Sequence, residues 1–262
     1  MIETENTHHN TFHEFFVWWL GKLNANLEHL VSAAQTYQEN DNTEDDSSLR
    51  HLIDQAVSHY EEYYKTKSDG AKLDVISMFS PTWLTSLEDS LLWIAGWRPT
   101  TAIHVLYSKS GIQLEARLAD LVPVFNTGDL GDLSLNQLNQ IDELQKKTIR
   151  EERIITEKMA KLQESAADTP MVDLSNMVSE VMRNENTNHD EGREDNESKV
   201  EFLLKSKKNE LEELLHMADS LRMETLNSVV EILTPIQAVY FLIAAAELHL
   251  RLHDWGMKRD AT

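Results

Sequence analysis

Between Phe12 and Tyr37, apolar side chains recur every three or four residues: Phe12, Phe15, Phe16, Trp19, Leu20, Leu23, Leu27, Leu30, Val31 and Ala34. That spacing gathers them on one stripe of a helix, whereas a strand would scatter them over both faces. The same period returns twice at greater length. Ser134 can cap a helix of about 30 residues running to Ala167, with Leu138, Ile141, Thr148, Ile155, Met159, Leu162 and Ala166 on one face. From Glu197 to Leu233, the stripe Leu204, Leu211, Leu214, Ala218, Leu221, Thr225, Val229 and Ile232 predicts a partner of about 35 residues. Two stripes of matched length predict an antiparallel pair.

Helices this long need a chain with few interruptions. Eight Gly and five Pro in 262 residues leave little with which to turn hairpins. The expected fold class is all-α: a helical bundle with two long antiparallel helices, a buried C-terminal helix and a Trp-rich cluster of short helices. A second helix begins near Asp45 to Ser48 and carries Leu49, Leu52, Ile53, Ala56, Tyr60, Tyr63 and Tyr64, with Gly70 near its end. Leu73 to Phe79 forms a short apolar piece. Thr85 or Ser86 caps a helix through Leu87, Leu91, Leu92 and Ile94, with Glu88 set for a capping box and Gly96 as its stop. Short helices follow at Thr100 to Lys109 and Ile112 to Leu121, and then a loop, Val122 to Leu133. Thr234-Pro235 opens the last helix, which is apolar almost all round from Ile236 to Trp255 until Gly256 ends it. Residues 1–11 are expected to be a disordered tail, 12–260 a single domain, and the acidic, apolar-poor stretch 183–198 a disordered loop.

Three of the six tryptophans, Trp83, Trp93 and Trp97, fall between Ser80 and Pro99. Trp seeks apolar cover and a partner for its N–H, so this segment marks a convergence of elements.

The net charge of −21 repels phosphate backbones and anionic lipid. Asp41 to Asp46 and Glu185 to Glu197 carry −4 and −5, so the remainder is still −12 and the body itself is acidic. Direct nucleic-acid binding is not expected. The absence of Cys excludes disulfides, thiol catalysis and thiolate metal sites. No apolar run approaches the roughly 20 residues of a membrane span, and nuclear or cytosolic residence is expected.

No phosphate loop or nucleophile elbow occurs. That favours a regulator or adaptor over an enzyme. His249 and His253 are four apart, so their Cβ atoms lie about 6 Å from each other on one helix face, a spacing that lets two imidazoles approach one ligand. The intervening residues lack the Glu of zinc proteases, and a helical His pair is equally a hydrogen-bonded boundary pair. One straight helix cannot place both on opposite sides of one porphyrin. His8, His9 and His13 form a tail cluster, and His59 and His104 sit in apolar surroundings where a packed histidine is expected. Phe15, Phe16, Trp18 and Trp19 are the candidate partner-binding residues, because the aromatic stripe is heavier than one helix face needs. Trp18 and Trp19 lie about 100° apart on that helix, so burial of both requires a wide stripe.

Several pieces together resemble the plant delay-of-germination domain, shared by seed-dormancy proteins and the C-terminal half of TGA-type basic leucine zipper factors. They are Val57-Ser-His-Tyr60, Ser80-Pro-Thr-Trp83, Leu87-Glu88, Leu92-Trp-Ile-Ala-Gly-Trp-Arg-Pro99, Leu133 to Leu138, Ala218-Asp-Ser-Leu-Arg222, Ile232-Leu-Thr-Pro235, and Leu248-His-Leu-Arg-Leu-His-Asp-Trp-Gly-Met-Lys-Arg-Asp260. The resemblance implies an all-helical plant regulator of seed dormancy, germination and abscisic-acid signalling, working through protein contacts, with type 2C phosphatases as partner class. It also implies haem binding through His249 and His253, and homodimerisation. The dormancy proteins carry Tyr-Leu-Glu-Trp on the first helix; the corresponding stretch here is Phe15-Phe16-Val17-Trp18, which shares only the Trp. A pollen-aperture branch of the same family, a haem- or metal-responsive sensor and a transcription cofactor are the alternative readings. The basic region and zipper of the TGA-type factors have no counterpart.

Overall fold

The structure, a computed structural model, describes residues 2–39, 46–119, 130–183 and 191–262, with side chains described over 12–39, 46–111, 130–179 and 198–262. Eight α-helices and no strand occur among the described residues: α1 (Ile2–Glu39), α2 (Asp46–Phe79), α3 (Ser86–Ser90), α4 (Thr100–Ala119), α5 (Leu135–Glu164), α6 (Thr169–Arg183), α7 (Glu191–Ile232) and α8 (Pro235–Asp260). The all-α expectation holds.

The stripe on α1 becomes the core. Phe12, Phe16, Trp19, Leu23, Leu30 and Ala34 are buried against α2 and α8. α8 is central, in contact with α1, α2, α3 and α4, and its first half is buried from Ile236 to Ala246 on three sides. The two long helices α5 and α7 run antiparallel, as Lys147 pairs with Glu224 near one end and Lys158 lies 3.6 Å from Glu213 further along. Their contribution to the core divides in two. Ile141 and Leu144 of α5 join Leu226, Val229 and Leu233 in the main core around α8, while Ile155, Leu162, Leu214, Ala218 and Leu221 form a second, smaller cluster.

Helix starts follow the expected cap chemistry. Ser134 takes the Gln137 N–H and its own N–H goes to Gln137 Oε1, while Thr234 N–H donates to Gln237 Oε1. The two capping glutamines then meet, Gln137 Nε2 donating to Gln237 Oε1 at 2.7 Å, which ties the start of α5 to the start of α8.

Several boundaries differ from the sequence expectation. The helical backbone of α1 starts at Ile2, inside the stretch expected to be a tail. α2 runs through Gly70 and takes in the Leu73 to Phe79 piece, with a single non-helical residue, Asp74, at φ −149°, ψ 91°. Gly111 lies inside one helix, α4, where two short ones were expected. α3 stops at Ser90, and residues 91–98 are irregular. Gly256 does not end α8; a Cβ there would lie 2.0 Å from Thr85 Oγ1, so the glycine is a point of close approach to α3. Of the acidic stretch 183–198, residues 184–190 lie outside the described residues, as do 120–129 of the loop expected from Val122 to Leu133, and α7 is already helical at Glu191.

Candidate partner-binding surface and histidine pair

The four aromatic candidates on α1 separate by angle. Phe16 and Trp19 face inward and are 1% exposed. The Trp19 indole N–H donates to His59 O at 3.1 Å, and its ring lies 4.9 Å from the His59 imidazole, nearly parallel to it. Both residues are core, which removes them from any docking surface. Phe15 is half-buried between Trp18 and Tyr63, at 5.7 and 6.4 Å. Trp18 is 49% exposed and Val17 57%. Lys22 Nζ sits 4.9 Å from the centre of the Trp18 ring and holds Glu62 at 3.2 Å, so the exposed indole is braced on one side. The surface left for a partner is Trp18 and Val17 with the edge of Phe15.

The histidine pair also separates. His253 Nδ1 lies 3.0 Å from Glu88 Oε2, and a carboxylate accepts, so Nδ1 carries the proton. Glu88 is the capping-box residue of α3 and accepts from Thr85 N at 2.9 Å and Thr85 Oγ1 at 2.7 Å. His253 thereby locks the end of α8 to the start of α3, and Asp260 reinforces the joint by accepting from Ser86 N at 2.8 Å. His249, one turn earlier, faces Trp19 at 5.2 Å between ring centres. Burial lowers its pKa to about 4; the Glu88 charge opposes that and His253 adds to it. Of the remaining histidines, His59 is buried, as expected, while His104 is exposed and so is not the packed residue expected. His13 is exposed, and the side chains of His8 and His9 lie outside the described residues.

His249 forms part of the wall of a cavity of about 190 Å³. Sites for drug-sized ligands run about 300–1,000 Å³, so this space is small for a porphyrin. His253 is engaged with Glu88 and lies on the same helix face as His249. In this arrangement the pair does not fit a haem. No group of three or more His, Asp or Glu that could hold a metal occurs among the described residues.

The Trp-rich segment is where elements converge. Trp83 is buried against Phe12 at 4.6 Å, and Trp93 donates its indole N–H to Thr156 Oγ1 of α5 at 3.0 Å. The irregular stretch 91–98 is pinned from below by Arg222, which is 0% exposed. Its guanidinium donates to Trp97 O at 2.7 Å, to Ile94 O at 2.9 Å, to Trp93 O and to Asp219. Lys67 completes the network, donating to Ala95 O at 2.6 Å and Asp219 Oδ1 at 3.1 Å. Sequence reasoning missed these three charged residues. The signal was their position: Lys67 continues the Tyr60, Tyr64, Ala71 stripe, and Arg222 sits beside Leu221 and Thr225 on the buried side of α7.

No helix among the described residues is long and apolar enough to cross a membrane. Residues 26–108 match the family model described as seed dormancy control (DOG1). The chain is 33% identical over 245 residues to Protein DOG1-like 3 of Arabidopsis thaliana, covering 91% of this chain and 82% of that protein. It is 28% identical over 254 residues to Protein RESPONSE TO ABA AND SALT 1 of the same plant, covering 95% and 96%. Similarity also extends to Transcription factor TGA2.3 of Oryza sativa subsp. japonica, at 29% over 234 residues, 89% of this chain and 60% of that one.

Proposed function

Because the chain belongs to the DOG1 seed-dormancy family, we propose that it is a non-enzymatic regulator in the dormancy and abscisic-acid response, acting by presenting α1 to a protein partner. The relatives' names support the regulatory class, since they are dormancy-like, abscisic-acid-responsive and transcriptional proteins. The observation that carries the docking reading is the exposed indole of Trp18, on a helix whose Phe12, Phe16 and Trp19 are core. Trp concentrates binding energy at interfaces when a partner desolvates it. Type 2C phosphatases are the partner class the resemblance implies, with Trp18 as the residue of Phe15-Phe16-Val17-Trp18 shared with the dormancy motif. The net charge of −21 disfavours direct binding to DNA, and residence in the nucleus or cytosol is part of the same proposal.

The test is capture of a purified type 2C phosphatase by wild type and by Trp18→Ala. A tenfold or greater loss in the variant is expected. Equal capture by both removes α1 as the docking element, and no capture by the wild type removes the phosphatase class.

A further inference from the structure

The cavity of about 190 Å³ lies at the centre of the bundle, behind α1 and under the irregular stretch 91–98. Its walls include the rings of Trp19, Tyr63, Tyr64, Trp97 and Phe241, with Val105 on the α4 side. Two ionisable groups on the wall are accounted for. Glu88 is satisfied by Thr85 and His253, and His249 is held uncharged at neutral pH by burial.

Lys67 is different. An ammonium has three N–H donors, and Lys67 Nζ, 2% exposed, uses two of them on Ala95 O and Asp219. Its third N–H has no acceptor among the described residues, and Lys67 is itself part of the cavity wall. The charges around it do not balance either. Lys67 and Arg222 share the single carboxylate of Asp219, leaving one buried positive charge without a counter-charge, met by backbone carbonyls and by the ring faces of Tyr64 at 5.8 Å and Trp93 at 5.4 Å. Burial accordingly lowers the lysine's pKa to about 8, which still leaves it charged at pH 7. An uncompensated buried cation beside an empty-sided aromatic wall is the situation that an anionic ligand relieves.

The roof supports the same inference. Ile94 and Ala95 have φ of 46° and 56°, a left-handed conformation unfavourable for a β-branched residue. Strain of this kind persists only where surroundings over-determine it, and it gathers at ligand clamps. Here Arg222 and Lys67 hold the carbonyls of Trp93, Ile94, Ala95 and Trp97, so the network that fastens the strained roof includes the lysine of the cavity wall.

We propose that this cavity binds a compact aromatic monocarboxylate, its ring against the Trp and Tyr side chains and its carboxylate on Lys67. The volume restricts the ligand to about one ring, since larger drug-like molecules occupy about 300 Å³ or more.

Calorimetric titration of the full chain with phenylacetate and with its uncharged match, 2-phenylacetamide, tests this at pH 7. Phenylacetate is expected to bind saturably and at least tenfold more tightly than the amide. Lys67→Met is expected to erase that preference. Val105→Phe, which fills the space and leaves the ion network intact, is expected to abolish binding of both. Hexanoate, run in parallel, is expected to bind more weakly than phenylacetate. Equal affinity for acid and amide, no saturable binding to the wild type, undiminished binding by Val105→Phe, or tighter binding of hexanoate would each overturn the proposal. If Lys67→Met does not fold, the acid–amide comparison on the wild type and the Val105→Phe result decide it.

Discussion

Trp19 and His59 hold each other by two reciprocal bonds: the Trp19 indole N–H donates to His59 O, and His59 Nε2 donates to Trp19 O, each at 3.1 Å. The carbonyl partner fixes the proton on Nε2, so Nδ1 carries only a lone pair. That atom is buried without a partner. A second proton on this ring would place a charge between Trp19, Tyr60 and Trp18 with nothing to receive its N–H.

Acidification should therefore destabilise the fold through its histidines. His59 and His249 both have native pKa values lowered from 6.5 to about 4, by burial in each case. Between about pH 4 and 6.5 the unfolded chain binds protons that the folded chain refuses, so stability rises with pH through that window and the contribution is complete above it. The slope from each group reaches at most about 1.4 kcal/mol per pH unit. Urea midpoints measured from pH 4 to 7 are expected to climb, and His59→Gln should flatten the climb while keeping an N–H for Trp19 O. An unchanged slope in His59→Gln would show that His59 makes no contribution to the acid response.

Adjacent tryptophans on α1 should behave oppositely on truncation. Trp18→Ala removes an exposed ring in contact with Lys22, Phe15 and the edge of His59, so its effect on stability is expected to stay within about 1 kcal/mol. Trp19→Ala empties a core position with a bonded N–H and is expected to cost about 3–5 kcal/mol. Denaturant unfolding separates the two. Comparable losses would place Trp18 in the core and end its candidacy as a docking residue.

How much of this was readable beforehand depended on which physical signal governed each place. The stripes on α1, α5 and α7 were legible because burial imposes a 3.6-residue period over many turns, and α8 because it is apolar almost all round. The caps were legible from local chemistry, Thr85 or Ser86 with Glu88 three residues on, Ser134 as a hydroxyl before its stripe and Thr234 ahead of Pro235, whereas the glutamines that answer Ser134 and Thr234 emerged only in the structure. Gly70, Gly111 and Gly256 misled: glycine reads locally as a helix stop, yet each helix runs through, and at Gly256 the missing Cβ makes room for Thr85. The Lys67–Asp219–Arg222 network was hidden because Lys67 lies 152 and 155 residues from Asp219 and Arg222, and the other acceptors are backbone carbonyls, which have no sequence signature. The aromatic candidates were found as a group, but only the register of α1 against α2 and α8 decides that Trp19 is inside and Trp18 outside.

Removing the anchor of the irregular stretch should release it. Arg222→Met leaves the carbonyls of Trp93, Ile94 and Trp97 without their donor and leaves Lys67 alone with Asp219. Breaking such a buried network by deleting one partner is expected to cost about 3–5 kcal/mol. Gly96→Ala attacks the same joint from above, since its Cβ would lie 2.8 Å from Arg222 Cζ, and that guanidinium is too tightly bonded to withdraw. Both variants should also increase amide hydrogen exchange in residues 91–98 relative to α5. Wild-type exchange there in either variant would mean that the stretch holds its shape without Arg222.

The joint between α3 and α8 leaves little room for an added side-chain carbon. A Cβ at position 256 would lie 2.0 Å from Thr85 Oγ1 and 2.5 Å from Thr85 Cβ, distances no side-chain rotation relieves because the second atom is bonded to the backbone. Gly256→Ala must therefore push α8 away from α3, stretching the His253–Glu88 contact and the bonds from Ser86 to Asp260. A helix-interior alanine would otherwise be favoured over glycine by up to about 1 kcal/mol, so the sign of the result isolates the steric effect. Net destabilisation of about 1–3 kcal/mol is expected. Thr85→Ser, which deletes the methyl but keeps the hydroxyl that caps α3, should leave the wild type nearly unchanged and not rescue Gly256→Ala, because Oγ1 and Cβ remain in the way. Stabilisation by Gly256→Ala alone would show that the two helices do not approach this closely in solution.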